Sequence, residues 1–388
     1  MPDRDLLMIP GPIEFEPDVL QAMAVKTSSH VAPAFIEVFG RTLERLRQVW
    51  LAPDSHPFVV AGSGTLAMEM AVANLIEPGD RALMVNTGYF SDRMVKMLER
   101  HGAEVTQIRA PVGGVPGLDE VEHALAGDSF KVMAVTHVDT STGVCAPAEA
   151  LSRMARQHGV LSIFDGVCST AAEEFRQAEW GADVFLTASQ KAIGVPPGLA
   201  LVVASPRALE AWRARRTPVA SVYVDFGEWL PIMEAYEARK PAYFATPPVN
   251  LIYALDASLD HILAEGMDAR FARHARVGRA FRAAWQALDL SLVPLEEGLA
   301  ANSLSAVYYP EGIDATLLGR VKNEGVVVAG GLHPAIKSRY FRVGHMGAVT
   351  SNDILATVGA VERALITGGY PATPGTAVAA AQVALAGE

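Results

Sequence analysis

From about residue 57 to residue 204 the chain alternates short apolar runs with stretches of helical periodicity, and few folds satisfy that alternation. The apolar runs are 58–61, 82–85, 132–135, 161–164 and 184–186, with 199–204 closing the series. Between them, 66–75, 91–101 and 148–158 repeat apolar residues at helix spacing. This βαβ rhythm predicts an α/β fold built on a mostly parallel, helix-covered sheet.

Several predicted strands end in polar residues: Gly62-Ser63, Thr136-His137, Asp165 and Ser189-Gln190-Lys191. In a parallel sheet those carboxyl ends share one edge, where α/β folds place ligands. Lys191 closes an apolar segment and precedes the turn Pro196-Pro197-Gly198. Burial at such a position lowers a lysine's pKa and makes it a nucleophile. Asp165 ends another apolar run about one βαβ unit earlier. Singly, the two residues read as a solvated strand end and a turn former. Together they suit pyridoxal 5'-phosphate, which needs an amine for its aldehyde and a carboxylate for its pyridinium nitrogen.

Gly62-Ser63-Gly64-Thr65 falls between a predicted strand and a helix starting near Thr65. Free backbone N–H groups and the helix dipole make such a junction an anion site, and a loop this short suits one phosphate. The same run, extended to Ala67, matches G-x-G-x-x-A, so an NAD-dependent oxidoreductase is a remote alternative. That motif wants an acid at the tip of the next strand, where Asn86 stands, and it leaves Asp165 and Lys191 without a role.

A chain of 388 residues accommodates roughly two to three domains. A Thr246-Pro247-Pro248 linker predicts a boundary near 250. Residues 1–250 would form an N-terminal segment plus a large domain, 251–370 a smaller α+β domain that begins with long helices, and 371–388 a frayed tail. The net charge of −11 and the lack of a basic block beyond Arg213, Arg215 and Arg216 argue against nucleic-acid binding. No apolar run reaches the length of about 20 residues that a membrane helix needs. Two cysteines, Cys145 and Cys168, form neither a disulfide framework nor a metal pattern, and with no signal peptide the chain reads as cytoplasmic.

In combination, Ser-Gly-Thr at 63–65, Thr-Ser-Thr-Gly at 140–143, Asp165-x-Val167, Ser-Gln-Lys-Ala at 189–192, Pro-Pro-Gly at 196–198 and Arg342-x-Gly344 form a specific pattern. Together with Ile9-Pro10-Gly11-Pro12 it resembles the class V, fold-type I aminotransferases, within them the alanine–glyoxylate / serine–glyoxylate family. The resemblance implies that Lys191 bonds the cofactor's aldehyde and Asp165 pairs with its ring nitrogen, while Val167 and Phe90 pack on the ring faces. It implies that Ser63, Gly64, Thr65 and Gln190 hold the phosphate, and that Thr140 approaches the phenolic oxygen. Tyr243 and Thr246 would reach the phosphate of a neighbouring subunit, making a homodimer with shared sites, and Arg342 would clamp the substrate carboxylate. Two positions depart from the family: Phe90 stands for a tryptophan, and Ser29-His30-Val31 lacks the usual His-Arg pair. Without a second arginine for a distal acidic group, the expected donor is a small neutral amino acid, alanine or serine, and the acceptor glyoxylate. Ureidoglycine–glyoxylate transfer, or a class V enzyme using pyruvate, is the alternative.

Other residues carry less. His30, His137, His333 and His345 form no metal-ligand spacing, and His137 reads as pocket wall. Cys168 reads as a buried thiol, and no cysteine follows it to serve a desulfurase. Met68, Met70, Met94 and Met97 read as core. A PLP-binding regulator without turnover would need a fused domain for which the chain has no room.

Overall fold

In the computed structural model, which describes residues 5–387, the predicted strands assemble into one seven-stranded sheet. Its order is His56–Ala61, Leu199–Ala204, Val184–Ala188, Leu161–Asp165, Val132–Thr136, Arg81–Asn86 and Glu104–Arg109. Leu199–Ala204 runs antiparallel to both neighbours, and the other pairs are parallel. The five middle strands are apolar on both faces because helices cover both. The edge strand Glu104–Arg109 was not anticipated. Only Ile108 in it is buried, and its other side chains read as ordinary surface. Gly64–Leu75 packs under the sheet, and Met68, Met70, Met94 and Met97 all lie in this core.

A second core forms around the antiparallel strands Leu304–Tyr308, Tyr340–Gly344 and Ala329–Gly330, with Tyr340–Gly344 in the middle. Its anchors Phe281, Trp285 and Phe341 are fully buried, and truncating any one of them to alanine would cost about 3–5 kcal/mol. Packing divides the chain later than the linker suggests. The helix Val249–Glu265 lies on Pro33–Val49 within the first core, and Met267–Ala287 passes from one core to the other. The expected tail contains a docked helix, Thr376–Ala386. Its Ala377 and Ala381 are buried against Met267–Ala287, and Glu362 accepts from its Gly375 and Ala377 N–H groups.

The N-terminal segment straps the two cores together. Leu6–Leu7 pairs in parallel with Val326–Val327, Gly344 N donates to Met8 O at 2.9 Å, and Ile13 N donates to Gln190 O at 3.2 Å. A Cβ on Gly344 would stand 2.2 Å from Ile9 O, so only glycine lets the strap pass.

Candidate active site

Lys191 lies three residues beyond the Val184–Ala188 strand, on a loop tied shut by its own serine. Ser189 Oγ donates to Pro196 O at 2.8 Å and accepts from Leu199 N at 3.2 Å, while Gly194 N donates to Lys191 O at 2.8 Å. The lysine is half-buried, and its Nζ donates to Pro10 O of the strap. Next to that carbonyl, Gly11 has φ +99°, and a Cβ there would lie 2.5 Å from Lys191 Nζ. The strap thus lies directly against the amine.

Asp165 ends its strand in register with Thr136 and is 2% exposed. Burial pushes its carboxyl up to about 6, partly offset by the Val167 N–H that donates to Oδ1 at 3.0 Å. Among the described residues no cationic side chain forms an ion pair with it. A second buried acid, Asp139, accepts from Ser141 N (2.9 Å), Ser141 Oγ (2.6 Å), Phe90 N (3.0 Å) and Ser91 N (3.4 Å). Burial raises its pKa too, against the pull of those donors. It pins the start of the Tyr89–Arg100 helix, and so Phe90, to the loop that carries Thr140. Gly88 makes this possible, since a Cβ there would meet Asp139 Oδ2 at 2.8 Å.

Ser63 and Thr65 are exposed at the N-terminus of Gly64–Leu75, and no side chain caps that helix, so its first N–H groups stay available. A Cβ on Gly64 would sit 2.7 Å from Val167 Cγ2, which packs loop and Asp165 turn together. Gln190 Oε1 is buried without a partner; it is an acceptor, and only the Nε2 end of the same amide could donate to an anion. Arg93 Nη1 donates to Thr65 Oγ1 at 3.1 Å. Sequence reasoning missed this contact, because Arg93 occupies a helix position indistinguishable from a solvated one.

Arg342 reaches in from the second core. Its Nε donates to Gly330 O at 2.8 Å and Nη1 to Thr140 O at 3.3 Å, and burial draws its pKa down. Among the described residues no carboxylate neutralises it, so part of the fork is left for an incoming anion. Tyr340 locks the same sheet to the first core by donating to Ser141 O, and accepts from His333 N at 2.9 Å. On the far side of the seam Glu173 accepts from Asn302 Nδ2 and Ser303 N, each at 2.9 Å.

Tyr243 and Thr246 stand apart from this cluster. Both are exposed; Tyr243 packs on His30 with ring centroids 5.1 Å apart, and neither hydrogen-bonds to the phosphate loop. His137 borders a different cavity, beside Cys145 and Glu173; its ring lies among Phe175 and Phe185, and burial drops its pKa to about 3, so it stays neutral. Burial raises the thiol pKa of Cys168 and leaves it protonated among apolar neighbours.

The grouping combines a strand-end amine, a buried acid without a cation, an uncapped helix start and an unneutralised guanidinium. These are the donors and acceptors that a phosphorylated pyridine aldehyde and an amino acid together would satisfy. A family model described as aminotransferase class-V matches residues 19–354. The chain is 39% identical to alanine–glyoxylate aminotransferase 1 of Saccharomyces cerevisiae, over 90% of this chain and 93% of that protein. It is 36% identical to L-aspartate–glyoxylate aminotransferase of Paracoccus denitrificans, over 98% and 96% of the two chains. The structure of ureidoglycine–glyoxylate aminotransferase from Bacillus subtilis superposes with a TM-score of 0.91 at 26% identity, covering 98% of this chain and 97% of that one.

Proposed function

Since the chain belongs to the class-V aminotransferase family and is therefore a pyridoxal-phosphate-dependent transaminase, we propose that it moves the amino group of alanine or serine to glyoxylate. When bound, the cofactor supplies an electrophilic carbon for amines and a ring that takes up the electron pair left at the substrate α-carbon.

In this reading Lys191 Nζ would hold the cofactor's aldehyde, and the same amine would take up the substrate's α-proton. The Asp165 carboxylate would keep a proton on the ring nitrogen, and that cation would offset the desolvation that raises the carboxyl's pKa. Phe90 and Val167 line the ring faces, Ser63, Gly64, Thr65 and Gln190 hold the phosphate, and Thr140 meets the phenolic oxygen. Arg342 accepts the α-carboxylate in a bidentate fork, which a lysine could not reproduce. Tyr243 and Thr246 act in the partner's site, so the enzyme is a homodimer; the exposure of both side chains supports that. Among the described residues no helix is long and apolar enough to cross a membrane, and cytoplasmic residence is part of the proposal.

The observation that carries the substrate assignment is Arg342, a half-buried fork with carbonyl partners only, in a chain whose relatives named above include several that use glyoxylate. Steady-state assays pairing alanine, serine and L-aspartate with glyoxylate, pyruvate and 2-oxoglutarate test it. Glyoxylate should exceed 2-oxoglutarate in kcat/KM by about tenfold or more, because a distal carboxylate would be buried without a cation. Preference for 2-oxoglutarate as acceptor, or for aspartate as donor, would overturn the substrate assignment and leave the transaminase intact.

A further inference from the structure

Arg93 has no part in the roles above, yet its surroundings are unusual for an arginine. It is half-buried one turn past Phe90, with its guanidinium carbon 4.9 Å from the Phe90 ring centroid and 5.4 Å from that of Tyr89. Its hydrogen bonds go to two hydroxyls, Thr65 Oγ1 at 3.1 Å and Tyr89 at 3.5 Å. Among the described residues no carboxylate pairs with it, whereas Arg109, which follows the neighbouring edge strand's course, is paired with Asp92. Its charge also reaches the Asp165 carboxyl, which it helps to keep ionised.

Thr65 lies in the first turn of the Gly64–Leu75 helix, whose N-terminus is the positive end of the helix dipole. A guanidinium bound there sets two positive ends side by side in a protein of net charge −11 that has carboxylates to spare. Such an arrangement is unfavourable unless an anion lies between them. We propose that Arg93 is a direct ligand of the cofactor's phosphate monoester, completing with Thr65 and the helix N–H groups a cradle for a dianion. The inference rests on the cofactor assigned above. It accounts for the second cation near the site without leaving one for a distal substrate carboxylate, and so accords with a neutral donor.

The test compares cofactor-free wild type with Arg93→Gln and Arg93→Lys, titrating each with pyridoxal phosphate and with pyridoxal, which lacks the phosphate. Arg93→Gln should raise the Kd for pyridoxal phosphate about 10- to 100-fold and change that for pyridoxal by less than about twofold, with Arg93→Lys between. Inorganic phosphate should raise the Tm of the cofactor-free wild type and fail to do so for Arg93→Gln. Equal losses for the two aldehydes would mean that Arg93 acts through the ring-stacking Phe90, and would overturn the proposal. So would unchanged affinity for both, or a Kd unchanged alongside a raised KM for L-aspartate, which would make Arg93 a substrate-carboxylate ligand. Wild type that binds pyridoxal but gains nothing from the phosphate defeats the cradle alone; wild type that binds neither defeats the cofactor reading.

Discussion

Asp165 pays for its position in the cofactor-free protein. With a folded pKa of about 6 against 3.8 unfolded, both states hold the proton below pH 4 and nothing is lost. Between pH 4 and 6 the folded chain retains a proton that the unfolded chain releases. Above pH 6 the folded chain must charge a buried group, and the full penalty, about 2–3 kcal/mol, applies. Cofactor-free Asp165→Asn should therefore show a higher urea midpoint than wild type at pH 7 and no advantage at pH 4, and the variant supplied with pyridoxal phosphate should not turn over. An advantage independent of pH would refute the burial argument. Gly11→Ala should lose most of its cofactor loading, since a positive φ and a Cβ 2.5 Å from Lys191 Nζ both oppose it. Full loading, read from the absorbance of the bound cofactor, would mean that the strap moves aside freely. Lys191 and Asp165 were legible because each ends an apolar run. Arg93 was not, because its partner Thr65 is remote in sequence and only the fold brings them together.

At the scale of elements, the Tyr89–Arg100 helix starts at a glycine and has no capping side chain of its own. Asp139, at the end of another strand pair, accepts from its Phe90 and Ser91 N–H groups instead. Asp139→Ala would leave those donors and the two of Ser141 buried and unpaired, so it should cost at least about 3 kcal/mol in the urea midpoint and weaken cofactor binding with it. A variant within about 0.5 kcal/mol of wild type would show that the staple contributes nothing. The strands of the large sheet were readable because burial on both faces leaves an unbroken apolar run. Glu104–Arg109 was not, as a half-exposed edge strand resembles a loop with scattered apolar residues. The Thr376–Ala386 helix also escaped notice: its alanines show little contrast between faces, although small side chains are what let it lie close to Met267–Ala287.

At the scale of the whole molecule, the shared-site proposal has a quantitative consequence. A Lys191→Ala chain and a Tyr243→Ala/Thr246→Ala chain each fail alone. Mixed and allowed to exchange subunits, half the dimers become hybrids, and each hybrid has one site in which both sets of residues are intact. Activity should then recover to about a quarter of wild type. No recovery, with hybrid dimers demonstrated by native mass spectrometry, would place Tyr243 and Thr246 outside the partner's site. The sequence suggested a division at 246–248, whereas the packing divides the chain within Met267–Ala287. A helix that passes between two cores keeps its apolar period throughout, so nothing in its sequence marks the crossing.

The strap has one more consequence, in the time order of synthesis. Residues 6–13 are translated well before Val326–Val327 and Gly344, which hold them in place. At ordinary elongation rates roughly 20 to 60 s separate the two events. The large sheet and its lysine can form during that interval, but the carbonyl of Pro10 has no fixed position from which to meet Nζ. The surroundings of Nζ are therefore completed only once residues 326–344 have been made, and a nascent polypeptide stopped short of Val326 would hold the lysine without that cover.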